Sequence, residues 1–499
     1  MIRLAALWIV VFGLAWYARR DWYVSLCGLI LLMAVIEHPD VPKTMFGIQG
    51  LNFWNFLLAV VVYACVRARG REDLSWDMPP AITALLLAFL AVLLVSFVRM
   101  MLDRSYLDDS TTTLISEHLV NSVKWIVPGL LLFLGCRTRR RFHLALGSIL
   151  GIYVLLALYV IKWMPIGLLS DGEALEQRAL KILQNEIGYQ RVNMSMMLAG
   201  AGWAVLATRS LAATWRMRLG IVALFLVIAY AQAVTGGRMG YVAWAAVGLG
   251  MCLIRGRSLL LLAPVVVLAV QLLVPAAGQR LLQGVDDNGA SDYGGDRYGS
   301  GVDLRTITAG RTIIWPYVVA RIREAPLIGY GRRAMRRTGL TTFLAQDLNE
   351  GFEHPHNAYL ELLLDNGIVG FAAVMPLFLV VLALSARLYA DSRSAIFVAA
   401  GGVTLAMTLS LLVAGFGSQT FYPREGAVGM WCAIGLMLRV WVERKKALAV
   451  AVPARKTAAL PRLPVWPDPA RGTADRRRPA ARTIAPEQVG IDARLWAHG

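Results

Sequence analysis

Residues 81–98 read AITALLLAFLAVLLVSFV, a run from Ala81 to Val98 without a single formal charge. A helix rises about 1.5 Å per residue, so a run of this length nearly matches the roughly 30 Å hydrocarbon layer of a bilayer. Lipid offers no water to backbone amides, and a helix satisfies them internally. Comparable runs recur at Leu219 to Val234, Leu259 to Val274 and Val369 to Leu384. Short charged turns separate them, which marks them as spans and not as a targeting segment.

The rest of the chain has the same character. Of 499 residues, 57% are hydrophobic and only 16% are charged. A soluble core does not absorb that much apolar side chain, whereas a bilayer does. The formal charge of +18 suggests a nucleic-acid partner at first sight. The cations, however, sit beside the ends of apolar runs, at Arg19-Arg20, Arg67 to Arg69, Arg137 to Arg141, Arg209 to Arg218 and Arg255 to Arg257. They alternate with less basic loops, as cytoplasmic loops of a membrane protein do, so membrane lipids and not nucleic acid are the expected surroundings. Cys27, Cys65, Cys136, Cys252 and Cys432 all fall in apolar spans and read as small buried hydrophobes.

Spans are predicted near 3–18, 22–37, 51–67, 80–101, 119–136, 143–164, 193–208, 218–234, 239–255, 258–277, 367–390, 394–416 and 426–443. The first two are short, so the fold class is an all-α polytopic membrane protein with twelve or thirteen transmembrane helices. Placing the basic loops in the cytoplasm puts 38–50, 102–118, 165–192, 235–238, 278–366 and 417–425 outside. Four regions follow: amino-terminal helices over 1–277, a large outer loop over 278–366, carboxyl-terminal helices over 367–443, and a tail over 444–499. The tail carries twelve Lys or Arg against four Asp or Glu and no apolar periodicity, so it reads as a disordered, membrane-attracted appendage.

The outer loop holds the chemistry-bearing residues, since a loop this long is functional or disordered. Its aspartate-rich start, Asp286 to Asp296, reads as a solvated linker and not as a calcium loop. Helical patterning appears over Thr312 to Glu324 and over Asn357 to Asp365. Arg311 opens the stretch Ala309-Gly310-Arg311-Thr312-Ile313-Ile314-Trp315-Pro316, and Arg238 stands in the outer turn Thr235-Gly236-Gly237-Arg238-Met239-Gly240. Guanidinium forks suit phosphate oxygens, and flanking glycines let backbone approach a ligand, although a flanking arginine also snorkels to an interface. Arg332, Arg333, Arg336 and Arg337 form a cationic cluster suited either to an anionic substrate or to plain solvation.

The segment Glu353-His354-Pro355-His356-Asn357-Ala358-Tyr359-Leu360 holds two of the six histidines. An imidazole at a helix start suits general-base work near neutral pH. A zinc site lacks a third spaced ligand, so no metal is expected. Arg191, His118, Tyr422, Arg424, Glu425 and the run Glu37 to Asp40 lie at outer helix ends, and Arg191 and Arg424 are placed to line a cavity opened by the loop.

Taken in order, Thr235 to Arg238, Gly310 to Trp315 with Pro326 to Gly331, and His354 to Leu360 with Asn366 to Gly370 resemble the O-antigen ligase and polymerase superfamily. The resemblance covers about residues 190–430. It implies a bacterial inner-membrane glycosyltransferase with its large loop in the periplasm, an undecaprenyl-diphosphate-linked glycan as donor, and no cofactor. On that resemblance Arg238 and Arg311 bind the donor and His356 is catalytic. His354, Asn357, Arg332, Arg333, Arg191 and Arg424 complete the candidate substrate contacts. Gly237 stands where the family often has serine. The acceptor implied is lipid A-core for a ligase, a growing glycan for a polymerase, or a protein hydroxyl for an O-oligosaccharyltransferase, with ligase favoured. A transporter of lipid-linked sugars is the non-enzyme alternative, but no internal repeat is visible and the large outer loop favours surface chemistry.

Overall fold

The computed structural model describes all residues except 1, 46, 48–49, 165–166, 168–169, 283–309, 348–350, 418–419 and 458–499. It is helical, with no β-strand among the described residues. Among the described residues, seven helices are long and apolar enough to cross a bilayer: Pro80–Leu102, Thr111–Gly135, Arg139–Trp163, Trp215–Ala233, Ala358–Ala390, Ala395–Ala414 and Glu425–Leu448. Four shorter apolar helices, Leu4–Tyr17, Trp22–Ile36, Phe53–Ala68 and Arg238–Ile254, stand beside them. The all-α polytopic class is therefore the observed one.

Burial sorts these helices. Ala395–Ala414 and Glu425–Leu448 are 89% buried over their apolar windows, whereas Trp215–Ala233 is only 17% buried. The first two form the centre of the bundle, and the third turns its leucines outward, as a lipid-facing helix does. Small residues draw the central helices together. A side chain on Gly435 would meet the Gly129 carbonyl, so there the two backbones touch.

Contacts gather the loops into two sets. At one end, Asp77 pairs with Arg439 at 2.6 Å, Glu72 with Arg141 at 2.7 Å and Asp391 with Arg444 at 2.7 Å. These ion pairs join the basic loops to one another. At the other end, Arg333 pairs with Asp109 at 3.1 Å, Arg337 with Asp103 at 2.7 Å, and Tyr189 donates to the Met33 carbonyl at 2.7 Å. The segments expected on a common side thus do lie together.

Four boundaries differ from the hydropathy pattern, each for a local reason. The span placed at 258–277 is a bent pair, Arg257–Leu273 and Pro275–Leu281, turned by 107°; Pro275 has no amide hydrogen to continue the ladder. The helix placed at 119–136 starts at Thr111 and passes through a wide turn over Ile115–Val120. The helix placed at 367–390 starts at Ala358 and breaks at Gly367, whose φ of 62° and ψ of −168° only glycine adopts readily. The last helix does not stop at 443 but runs to Thr457, so the first residues assigned to a disordered tail are helical, and Arg444 and Lys446 there hold Asp391 and Asp77. The remainder of the tail and the aspartate run 286–296 lie outside the described residues.

Candidate active site

Three helices begin at this end with an arginine as their first residue: Arg191–Ala207, Arg238–Ile254 and Arg311–Glu324. Their N-cap positions are Gln190, Gly237 and Gly310, and none makes a side-chain capping bond. Three helices starting at the opposite end are capped: Thr138 accepts from the Arg141 amide, Thr214 from Met217 and Ser394 from Ile396. Three positive dipole ends, each with a guanidinium beside it, favour an anion.

The turn before Arg238 is shaped by its neighbours. Ser195 donates to the Gly237 carbonyl at 3.2 Å, and a Cβ on Gly237 would lie 2.5 Å from the same hydroxyl. That contact gives a physical reason for glycine here instead of serine. Gly236, at φ 68°, presents its carbonyl to Arg191 at 3.4 Å.

A carboxylate that the sequence did not single out holds this cluster. Glu176, on the loop helix Gly172–Ile182, pairs with Arg191 at 2.8 Å and also with Arg280. Arg280 belongs to the helix Pro275–Leu282 after the bend and is 3% exposed. Gln279 fixes that helix by accepting from the Gly172 amide at 2.9 Å and donating to the Ser170 carbonyl at 3.1 Å. A Glu and an Arg about a hundred positions apart, one in a loop and one beside a proline break, carry no sequence signal of pairing.

Arg311 is half-buried and sits within electrostatic reach of Arg238 and Arg191; burial first, and then those like charges, lowers its guanidinium from the usual value. On its other side it acts on His356. Burial, followed by His354 and Arg311, lowers the His356 imidazole to about 3, so the ring is neutral at physiological pH. His354 is lowered too, chiefly by burial, with Arg424 and Arg311 adding to it against Glu361 and Glu353. The two imidazole rings lie 4.0 Å apart, and Phe352 meets His356 edge-on at 5.3 Å. His356 adopts φ 52°, a left-handed conformation that costs a non-glycine residue about 1 kcal/mol.

Two connections hold this loop against the helix of Arg311 and against the bundle. Trp315, one turn after Arg311, donates its indole hydrogen to the Pro355 carbonyl at 3.0 Å. The Ala358 amide donates to the Gly415 carbonyl at 2.7 Å, and the Tyr359 hydroxyl to that of Leu412 at 2.7 Å. Behind it, Pro326 to Gly331 runs beside the Gly367 break. Tyr330 and Gly331 donate to Leu364 and Asp365, while Ile368 and Val369 donate to Pro326 and Leu327. These bonds replace those the helix loses at its break, and Gly329 is needed because a Cβ there would lie 2.5 Å from the Leu364 carbonyl oxygen.

Arg238, Arg311, Arg191, His354, His356 and Arg424 therefore meet at one end of the bundle. The other candidates are engaged elsewhere. Asn357 is the N-cap of the helix from Ala358 and accepts from the Tyr359 and Leu360 amides. Arg332 is buried, donates to Ser122 at 2.8 Å and to the His118 carbonyl at 3.0 Å, and packs over the Tyr422 ring at 4.1 Å. Arg333 pairs with Asp109 and Glu353, Arg336 with Asp108, and Arg337 with Asp103. The cationic cluster is thus neutralised by the loop after Leu102 and is not a free patch. Nor was the buried junction of Tyr422 with Asp365 at 2.7 Å and Asn366 at 2.8 Å foreseen. Among the described residues, no group of three or more His, Cys, Asp or Glu is placed to hold a metal ion.

Fold and site together define a multi-pass membrane protein with a cation-rich, histidine-bearing cluster at one end of its helices. A family model described as O-antigen ligase matches residues 198–375, which contain Arg238, Arg311 and His356. Over these residues, about a third of the chain, the protein is similar to the O-antigen ligase and polymerase superfamily. A comparison with curated proteins gave no match.

Proposed function

We propose that the protein moves a glycan from an undecaprenyl-diphosphate carrier to an acceptor hydroxyl at the periplasmic face of the bacterial inner membrane, with lipid A-core as acceptor. In this reading Arg238 and Arg311 clamp the diphosphate, assisted by Arg191 and by the positive dipole ends of their helices. The acceptor oxygen attacks the anomeric carbon with inversion, the bond from that carbon to the phosphate oxygen breaks, and the diphosphate leaves with the electron pair. His356, neutral before the donor binds, takes the acceptor proton. A bound diphosphate beside the ring strengthens its hold on that proton. The charge that develops on the leaving group is met by guanidiniums already in place, so no metal is required.

The observation that carries this reading is the single electrostatic chain from Arg238 through Arg311 to His356, tied by the Trp315 to Pro355 bond. The test is transfer by purified protein from a lipid-diphosphate-linked glycan to lipid A-core, to a glycan chain and to a Ser- or Thr-bearing protein, each offered alone. A covalent product on lipid A-core alone is expected. Arg311→Ala and His356→Ala are each expected to lower the rate about a hundredfold, or about 3 kcal/mol in barrier. Folded variants with full transfer activity would refute the assignment, and product on another acceptor would reassign the protein to polymerisation or to protein glycosylation.

A further inference from the structure

A cavity of about 730 Å³ opens at the end of the bundle opposite His356. The helices Arg191–Ala207, Arg238–Ile254 and Ala358–Ala390 start at the active site, and Ala207, Met251 and Tyr389, near their far ends, line this cavity. A helix of 17 residues spans about 25 Å, so the two sites are separated by most of a bilayer. The start of the lipid-facing helix Trp215–Ala233 forms the outer wall. Leu206, Val222 and Val398 make its deeper surface apolar, and Arg209, Arg218 and Arg255 supply its polar part. Neither Asp nor Glu lines it, and among the described residues no carboxylate pairs with any of the three arginines. At the same end, Arg439, Arg444 and Arg141 are all neutralised by acids.

We infer that this cavity binds one anionic phospholipid from the adjacent leaflet, its phosphate held by Arg209, Arg218 and Arg255 and its acyl chains along Leu206, Val222 and Val398. Charge complementarity selects the occupant: three exposed guanidiniums at headgroup height call for a phosphate with net negative charge, and an apolar wall open to lipid calls for acyl chain. Basic pockets between helices at a cytoplasmic surface recognise lipid headgroups by this combination. A zwitterionic lipid offers the same chains but no net charge. The site is independent of the transfer reaction and would serve to anchor the lipid-facing helix Trp215–Ala233 against Arg238–Ile254.

The test is native mass spectrometry of the full chain in mild detergent, after delipidation and titration with phosphatidylglycerol or with phosphatidylcholine. Wild-type protein is expected to bind one phosphatidylglycerol at least tenfold more tightly than phosphatidylcholine. At roughly fivefold per arginine, the triple variant R209Q/R218Q/R255Q is expected to lose about a hundredfold in phosphatidylglycerol affinity. The control R19Q/R216Q/R257Q removes the same charge outside the cavity and is expected to change affinity less than twofold. Should the triple variant not fold, Val222→Trp fills the apolar part with the arginines intact and is expected to abolish the adduct. Equal binding of the two lipids, equal losses in triple variant and control, an adduct that survives Val222→Trp, or a preference for undecaprenyl phosphate over phosphatidylglycerol would overturn the inference.

Discussion

Glu176→Gln isolates the electrostatic logic of the site. The carboxylate bridges Arg191 at 2.8 Å and Arg280, and so joins two arginines of this corner. Arg191 and Arg280 are 15% and 3% exposed, so the bridge is largely shielded from solvent. Breaking a buried pair costs about 3–5 kcal/mol. The glutamine keeps the volume and can accept one hydrogen bond, which reduces the expected loss to about 2 kcal/mol. The same change removes a negative charge that competes with any anion for Arg191, Arg238 and Arg311. Pyrophosphate is therefore expected to bind the variant about tenfold more tightly, a gain of about 1.4 kcal/mol. Thermal unfolding with a pyrophosphate titration reads both effects. The variant should melt below wild type without ligand and recover more of the difference at saturation, since a ligand at a hundred times its Kd stabilises by about 2.7 kcal/mol. An unchanged melting temperature, or equal protection of both proteins, would refute the reasoning.

Gly367→Ala places a Cβ 2.3 Å from the Leu327 carbonyl group in a backbone region closed to alanine, and is expected to cost about 3 kcal/mol or more, visible as loss of monodisperse protein. Asn357→Ala removes a cap with two amide contacts and is expected to lower stability by about 1 kcal/mol in a denaturation midpoint, with substrate affinity changed only as far as His356 moves. The histidines give a pH dependence with a definite sign. Because the folded His356 is held near 3 and the unfolded ring titrates near 6.5, below pH 6.5 the unfolded chain binds a proton that the folded chain refuses. Stability is full above that value and falls between about pH 6.5 and 3. Comparing melting temperatures at pH 7.5 and 5.0, wild type should lose more than His356→Gln; an equal loss would show that the ring is not shielded in the empty site.

The spans were legible because lipid imposes one requirement over some twenty residues at a time, and AITALLLAFLAVLLVSFV meets it without reference to anything else. Which loops share an end of the bundle was legible for a similar reason, since each basic loop reports its own position. What escaped depends on partners distant in the chain. Nothing local distinguishes Arg332 to Arg337, which are neutralised by Asp103, Asp108 and Asp109, from Arg311, which stands among other arginines. Glu176 was invisible because its role exists only once the chain bends by 107° and returns Arg280 to it. The break at Gly367 was partly visible as a glycine pattern, but its reason lies in backbone bonds from Pro326 to Gly331.

Capping explains why the motifs of this site look as they do. A helix start is normally closed by a Ser, Thr, Asp or Asn side chain, and Thr138, Thr214 and Ser394 do this where stability alone is at stake. Before Arg238 and Arg311 the chain carries glycine instead, forgoing a few tenths of a kcal/mol that a capping side chain supplies, and then adds a cation where the helix dipole disfavours one. Both choices lower the stability of the empty protein. Both are favourable once an anion sits between the helix ends, because it then meets positive dipole ends and guanidiniums together. The left-handed backbone of His356 adds a third local departure at the same place. These departures lie at residues distant in sequence and converge on one cluster, and the diphosphate binding proposed above would offset their cost.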